Sequence, residues 1–319
     1  MLNGIRPGVF RQRCQNHLLI EISNPQKILF PDDGITKGEV AAYYVAAAES
    51  MLPHLIRRPL TLQRFPNGIA KPGFMQKNAG KGFPPFIQRI ELPKQGGTVS
   101  YPAISDLEGL VYLANQNTIT FHIPCFRTDD LEHPDRLVFD LDPVDGDLEG
   151  ARFGAGEVRG LLSELDVPSW VMTTGSKGFH VVVPLSPTIS FDSLGRFALA
   201  VAHLLSLRHP ERLTIEFLKK ERRGRVFVDW LRNGFGATGV SPYSLRPREG
   251  APIAMPIAWD EVETIEPSQF RLREDLDRLG IDPWADARPF HLSNAIAAVD
   301  RTLEEQKVEL PEFDRFGRT

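Results

Sequence analysis

Leu137-Val-Phe-Asp-Leu-Asp-Pro143 is the stretch from which the rest of the chain can be read. A short apolar run halted by proline predicts a buried strand. Side chains alternate along a strand, so Asp140 and Asp142 share one face while Leu137, Phe139 and Leu141 share the other. The apolar face packs on a core and leaves two carboxylates side by side. Such a pair is costly unless a cation neutralises it, and hard oxygen donors suit Mg²⁺ or Mn²⁺. A lone Asp-x-Asp is a weak signal, since many are solvated turn residues. Here the apolar flanks and Pro143 put the pair at a strand's C-terminal end, where open α/β sheets hold their ligands. Val226-Phe-Val-Asp-Trp230 repeats the pattern with Asp229. Taken singly, Asp229 reads equally well as an edge carboxylate paired with an arginine. Three carboxylates from two strands point to metal-assisted phosphoryl transfer on a nucleotide.

Between these strands lies Thr174-Gly-Ser-Lys-Gly-Phe-His180. Its glycines let the backbone approach a ligand, and Thr174, Ser176 and Lys177 offer hydroxyls and an ammonium to phosphate oxygens. The spacing is not that of a Walker motif, and a strand follows where that motif has a helix. An ordinary Gly hairpin turn is the competing reading. His180 alternates with Phe179 and Val181 and so points to the opposite side of the sheet, as ligand or as satisfied structural residue. Lys219-Lys-Glu-Arg-Arg-Gly-Arg225 reads as a solvated tip or as a phosphate contact. The same two readings apply to Lys27 and Lys37. Phe74 and Met75 are either a platform for a base or core.

The 319 residues are 42% hydrophobic, enough for a sizeable core, and carry a formal net charge of −4. That balance excludes a small, uniformly basic DNA-binding domain, so contact with nucleic acid would need cations gathered on one face. Two cysteines, Cys14 and Cys125, imply neither a disulfide framework nor a cysteine-rich zinc site. No apolar run suits a membrane span or a signal peptide, so a cytosolic enzyme is expected. Thr36-Lys-Gly-Glu39 predicts a capping box opening a helix through Tyr43, Tyr44, Ala47 and Met51 that ends before Arg57 and Pro59. Residues 60–105 read as short strands and turns, 107–115 as a helix, and 118–124 as a strand presenting His122. Strands over 137–142, 169–174, 179–183 and 225–229, with helices near 157–165 and 191–207, predict a mixed sheet backed by helices, an α+β architecture. After about Trp259 the chain reads as helices with charged faces.

Asn24-Pro-Gln-Lys-Ile-Leu-Phe-Pro31, Thr36-Lys37, Arg64-Phe-Pro-Asn-Gly68, Phe121-His-Ile-Pro124, the Asp-Leu-Asp-Pro stretch, Thr174–His180, Val228-Asp-Trp-Leu-Arg-Asn233 and Pro242-Tyr-Ser-Leu-Arg246 occur in one order. That order resembles the polymerase domain of bacterial LigD proteins, in the archaeo-eukaryotic primase superfamily, from about residue 20 to 265. The resemblance implies a primase-type core with an RRM-like sheet over about 116–265 and a smaller N-terminal subdomain over about 21–115. An extension over 1–20 and a C-terminal helical cap over 266–319 would flank them.

The resemblance further implies a template-dependent nucleotidyltransferase of end joining or gap filling, typically favouring Mn²⁺ and ribonucleotides. Asp140, Asp142 and Asp229 would hold two divalent ions, Mn²⁺ or Mg²⁺. Thr174, Ser176, Lys177, His180, Arg232 and Arg246 would hold the incoming NTP or dNTP, with Arg64 and His122 lining its pocket. Lys27 and Lys37 would grip a 5′-phosphate across a DNA gap, and Phe74 would stack on template. Partners would include a Ku-type end-binding protein and a separate DNA ligase, in a bacterial cytoplasm at the nucleoid. Thr174 replaces the family's usual Ser and keeps the hydroxyl. Met75 replaces a second aromatic, and Gln63 stands where some members have a basic residue. Primer initiation from two nucleotides is not separable from extension by sequence. From another class, the basic residues alone would suit a non-catalytic module that binds or bridges DNA ends.

Overall fold

A computed structural model describes residues 20–94 and 96–312 of the chain. Cys14, nearly all of the expected 1–20 extension and the last residues of the expected cap lie outside them. The described residues begin their regular structure with the short pair β1 (Ile28–Phe30) and β2 (Ile35–Thr36), leading into α1 (Lys37–Leu55). The capping box forms as expected: the Thr36 hydroxyl accepts from Glu39 N–H, and the Glu39 carboxylate accepts from Thr36 N–H. Helix α1 buries Tyr43, Tyr44, Ala47 and Met51, so its apolar stripe faces the core.

Strands β3 (Thr61–Arg64), β4 (Phe74–Gln76), β5 (Gln88–Lys94) and β6 (Gly97–Ala103) follow, then α2 (Leu107–Asn115) and β7 (Thr118–Ile123). The second half contains β8 (Arg136–Asp142), α3 (Leu148–Glu164), β9 (Trp170–Thr173), β10 (Phe179–Pro184), α4 (Phe191–Arg208), β11 (Leu213–Thr214) and β12 (Val226–Asp229). Two short strands, β13 (Gly239–Val240) and β14 (Pro256–Ile257), and α5 (Ser293–Gln306) complete it.

Six strands form the main sheet in the order β11-β12-β8-β10-β9-β14. The β11–β12 pair is parallel and the other pairs are antiparallel, so the α+β class and the mixed sheet are as expected. Leu137, Phe139 and Leu141 lie in one core with Ala151, Ala155, Val158, Phe197 and Val201 of α3 and α4. The opposite face carries Val138, Met172 and Val182, packed with Cys125, Val240 and Trp284. A four-stranded sheet, β13-β7-β3-β4, takes strands from both sides of the expected boundary at 115/116, because β7 pairs with β3.

Two expectations differ from what forms. Helix α3 begins at Leu148, well before 157, capped by Asp147. Gly150, Gly154, Gly156 and Gly160 weaken its helical signal, yet a Cβ on Gly154 would stand 3.1 Å from Leu141 Cδ1. Glycine there lets the helix lie close on the sheet. Beyond Trp259 the chain is mostly 3₁₀ turns and irregular segments, with α5 the single α-helix of the described tail. Pro267, Pro283 and Pro289 interrupt any long helix. The tail is instead stitched to the sheets: Ile253 N–H donates to Phe270 C=O, and the Trp284 indole donates to Val171 C=O at 3.1 Å. Among the described residues no helix is long and apolar enough to cross a membrane.

Candidate active site

Strand register brings the sequence-distant acids together. Asp229 of β12 is paired across the ladder with Asp140 of β8, and Asp140 with His180 of β10. Directly opposed residues on neighbouring strands project to the same face, so these three form one lateral row. Asp142 lies two residues along β8 on the same face. His180 Nε2 is 3.4 Å from Asp140 Oδ1.

Each carboxylate meets a cation. Arg232, in the 3₁₀ turn Leu231–Asn233 after β12, donates from Nε and Nη2 to Asp140 Oδ2 at 3.1 and 3.0 Å. Its Nη2 also lies 3.2 Å from Asp229 Oδ2. Arg222 Nη1 donates to Asp142 Oδ2 at 2.6 Å, and Lys177 Nζ reaches Asp142 Oδ1 at 3.2 Å. Asn233 fixes the turn that carries Arg232. Its side chain accepts from Val138 N–H and donates to Val138 C=O, both at 2.8 Å, continuing the ladder where β12 has ended.

The Thr174–Gly178 loop closes the β9–β10 hairpin, so the hairpin reading holds and is compatible with a ligand-binding one. Gly175 lies in the left-handed region (φ +62), and a Cβ there would press on Arg246 and on the Ile253–Ala254 backbone. A Cβ on Gly178 would collide with the Leu141 carbonyl. The Thr174 hydroxyl is engaged inside the loop, donating to Gly178 C=O at 2.9 Å. Ser176 and Lys177 face a cavity of about 190 Å³ that is also lined by His122, Asp140, Asp142, His180, Arg232 and Arg246.

Arg246 follows a stretch anchored by α1. The Tyr43 hydroxyl donates to Tyr243 C=O, and Tyr44 O accepts from Leu245 N–H. Arg246 Nη1 donates to Thr174 C=O at 3.0 Å, while its Nε is buried without a partner. His122 Nε2 is likewise buried and unpartnered. Orphaned polar atoms of this kind in a cavity wall call for a polar ligand.

The acids are electrostatically unequal. Burial opposes ionisation of Asp140, but His180 and Arg232 overcome it and hold its carboxyl well below the usual range. Asp229 is pushed up to about 6, mainly by burial and also by the Asp140 charge, against the pull of Arg232. Burial lowers His122 to about 3, assisted by Arg246 and Arg232, so its ring is neutral at pH 7. Burial also brings Arg246 down to about 10. Three carboxylates are the donors a hard divalent cation takes. Among the described residues, however, no three such side chains converge into a ready cage. Metal entry therefore means displacing guanidinium and ammonium partners already in place.

The remaining expected residues lie elsewhere. Arg64 is held on β3 by Gln76 Oε1 at 2.6 Å and Gln116 C=O at 2.8 Å, and it does not line the cavity. Its guanidinium sits over the Phe74 ring, 5.5 Å from the centroid. Phe74 and Met75 are 47% and 48% exposed, so the core reading does not apply to them. Lys37 is buried and donates to Ser23 Oγ at 2.8 Å, while Lys27 Nζ donates to Pro66 C=O. Burial and the neighbouring Lys27 charge lower the Lys37 pKa, so the two ammonium groups sense one another. Sequence reasoning missed Arg222 and Asn233. Nothing in the run 219–225 sets Arg222 apart from its neighbours, although it alone of them is buried.

A model of the LigD primase-polymerase domain family matches residues 36–284. The multifunctional non-homologous end joining protein LigD of Mycolicibacterium smegmatis is 38% identical over 270 residues, 84% of this chain and 35% of that protein. The bifunctional non-homologous end joining protein LigD of Bacillus subtilis is 30% identical over 274 residues, 85% of this chain and 44% of that protein. The chain thus spans less than half the length of these relatives. The polymerase domain of Mycobacterium tuberculosis Ligase D, solved in complex with DNA, superposes with a TM-score of 0.78 at 33% identity. That match covers 87% of this chain and 98% of that one.

Proposed function

The chain belongs to the LigD primase-polymerase domain family, a family of metal-dependent nucleotidyltransferases, and from that premise we propose that it adds nucleotides to a primer 3′-OH at DNA gaps or broken ends. The observation that carries this reading is the lateral row Asp229–Asp140–His180, with Asp142 beside it, opening onto a cavity walled by Lys177, Arg232 and Arg246.

In this reading Lys177, Arg246 and the Ser176 hydroxyl hold the triphosphate, with His180 and the unpartnered Nε2 of His122 completing the wall. Thr174 shapes the loop through its bond to Gly178 and touches phosphate only if that bond opens. Asp140, Asp142 and Asp229 would hold a pair of divalent ions, Mn²⁺ or Mg²⁺. When bound, such ions supply positive charge to the attacking oxygen and the departing pyrophosphate. Arg232 spans Asp140 and Asp229, keeping two like charges apart from each other's full repulsion until then. The primer oxygen bonds to the α-phosphorus as the bond from that phosphorus to the bridging oxygen breaks. Lys177 and Arg246 then face the charge that leaves. Both ribo- and deoxyribonucleotides enter the test below, since the residues described do not separate them.

Away from the acids, Lys27 and Lys37 are assigned to a 5′-phosphate across the gap. Phe74, with Arg64 behind it, is assigned to template stacking, and Arg64 no longer to the nucleotide pocket. We retain a division into a smaller N-terminal part, a catalytic core and a C-terminal segment, with action in the bacterial cytoplasm at the nucleoid beside a Ku-type protein and a ligase. Because every acid already has a cationic partner, a second reading is a non-catalytic DNA-end binding module in which the ion pairs are purely structural.

One assay separates the two readings: single-nucleotide addition on a 5′-phosphorylated gapped duplex with Mn²⁺ or Mg²⁺. Templated addition by the wild type, reduced at least about a thousandfold in Asp140→Ala/Asp142→Ala, is expected. If the variant extends as well as the wild type, or neither extends while both bind the gap tightly, the polymerase reading is wrong.

A further inference from the structure

A second cavity, of about 990 Å³, opens between α1, the start of β8 and the segment 279–289. It shares no lining residue with the nucleotide cavity. Alternation along β8 puts Arg136 on the same face as Asp140 and Asp142, roughly 20 Å from Asp142 at about 3.3 Å per residue. Between the two cavities lies only a narrow gap of about 10 Å³ that touches both Arg232 and Arg136.

The floor of this cavity holds a cation without a partner. Arg58 occupies both oxygens of Asp135, at 2.7 and 2.5 Å, and Arg127 lies 4.0 Å from the same carboxylate. Arg136, the next residue, has no carboxylate within ion-pair distance among the described residues, and its Nε is fully buried without a hydrogen bond. A partly buried guanidinium whose Nε has no partner, and whose neighbouring Asp135 is already taken by Arg58, is disfavoured, and water in the cavity relieves it only partly. Burial, with Arg58 and Arg127 close by, brings the Arg136 pKa down to about 10 against the opposing pull of Asp135, so it remains charged at neutral pH. His54, on the α1 wall, is lowered to about 3 by burial and by Arg136 and Arg58, and adds a neutral ring. Of the carboxylates that line the space, Asp135 is held by Arg58, while Glu49 and Asp282 are exposed at its mouth.

Around that cation the walls are apolar and aromatic. Val182 and Leu185 continue the sheet, and the His54 ring meets Trp284 edge-on at 5.9 Å and Tyr243 at 6.0 Å. The volume suits a small molecule. A guanidinium fork at the floor suits a phosphoryl oxyanion, and apolar walls above it suit an attached ring system. We propose that this cavity is a second ligand site, taking a phosphate-bearing small molecule of nucleotide size with its phosphate on Arg136. This goes beyond nucleotidyl transfer, which uses none of these residues.

The test is calorimetric titration of the full chain, metal-free in chelator, with AMP and with inorganic phosphate. Arg136→Gln, Arg136→Lys and Arg246→Ala are compared with the wild type, each checked for a wild-type melting profile. Binding of AMP is expected to survive Arg246→Ala, to weaken about tenfold or more in Arg136→Gln, and to weaken less in Arg136→Lys. Should Arg136→Gln fail to fold, Ala287→Trp, which fills the cavity from its mouth, is expected to give the same loss. AMP binding that disappears in Arg246→Ala but is untouched by Arg136→Gln or Ala287→Trp would assign the ligand to the nucleotide cavity and overturn the proposal. So would the absence of AMP binding to the wild type at millimolar concentration. Equal affinities for AMP and inorganic phosphate would overturn the part that calls for a ring system.

Discussion

Asp229 carries a carboxyl held above the usual range, because burial and the adjacent Asp140 charge both resist its ionisation. With a value of about 6 in the folded chain against about 4 in an unfolded one, it keeps its proton longer when folded. A group of this sign contributes stability at low pH and loses it as pH rises from about 4 to about 6. The metal-free wild type is therefore expected to lose stability across that window relative to Asp229→Asn, by no more than about 3 kcal/mol. Melting temperatures of both proteins at closely spaced pH values check this, and a constant offset from pH 4 to 6 would show that Asp229 titrates normally. The acids themselves were legible, since period-2 alternation and apolar flanks mark Asp140, Asp142 and Asp229 without any structure. Their partners were not. Arg222 reaches Asp142 from 80 residues away, a contact set by tertiary approach and invisible to any local pattern. The placement of Arg64 apart from the cavity was not legible for a related reason: a strand residue's outlook depends on its cross-strand neighbours, here Phe74 and Gln76.

At the scale of elements, the ladder between β12 and β8 is carried past Asp229 by one amide. Beyond Asp229 the strand gives way to a 3₁₀ turn, and Asn233 takes over the Val138 N–H and C=O that a longer strand would have paired. Both backbone groups are buried, so Asn233→Ala leaves two of them unsatisfied and is expected to cost about 2–4 kcal/mol. The same change loosens the turn that aims Arg232, so nucleotide addition should fall further than the loss of folded protein explains. Urea unfolding alongside single-turnover addition on the folded fraction measures both, and equal losses would reduce Asn233 to a purely structural role. Elements with strong periodicity, such as α1, α2, β8, β10 and α4, were readable to within a residue or two. Helix α3 was not, because its glycines serve close packing on Leu141 rather than helix propensity. The tail after Trp259 misled in the opposite sense: its charged composition looks helical, while its prolines and its hydrogen bonds to Val171 and Ile253 make it a strap.

For the molecule as a whole, a net charge of −4 coexists with clusters of cations at Lys27/Lys37 and around the acid row. DNA affinity is accordingly expected to fall steeply with salt. Lys27→Ala/Lys37→Ala should abolish the preference for a 5′-phosphorylated over an unphosphorylated gap while leaving the salt slope shallower by about two contacts. Fluorescence anisotropy at several salt concentrations reads both, and a retained phosphate preference would detach these lysines from the gap. The order of strands in the main sheet carries a different kind of consequence, one for biosynthesis. Strand β8 sits between β12 and β10, yet β12 is made some 80 residues after β8. At roughly 5–20 residues per second, a ribosome leaves that apolar edge without its neighbour for roughly 4–16 s. During that interval the edge of β8 from Val138 to Asp142 presents open backbone to any other extended chain. The nascent protein is then at its most aggregation-prone while its two central acids already exist and the third does not.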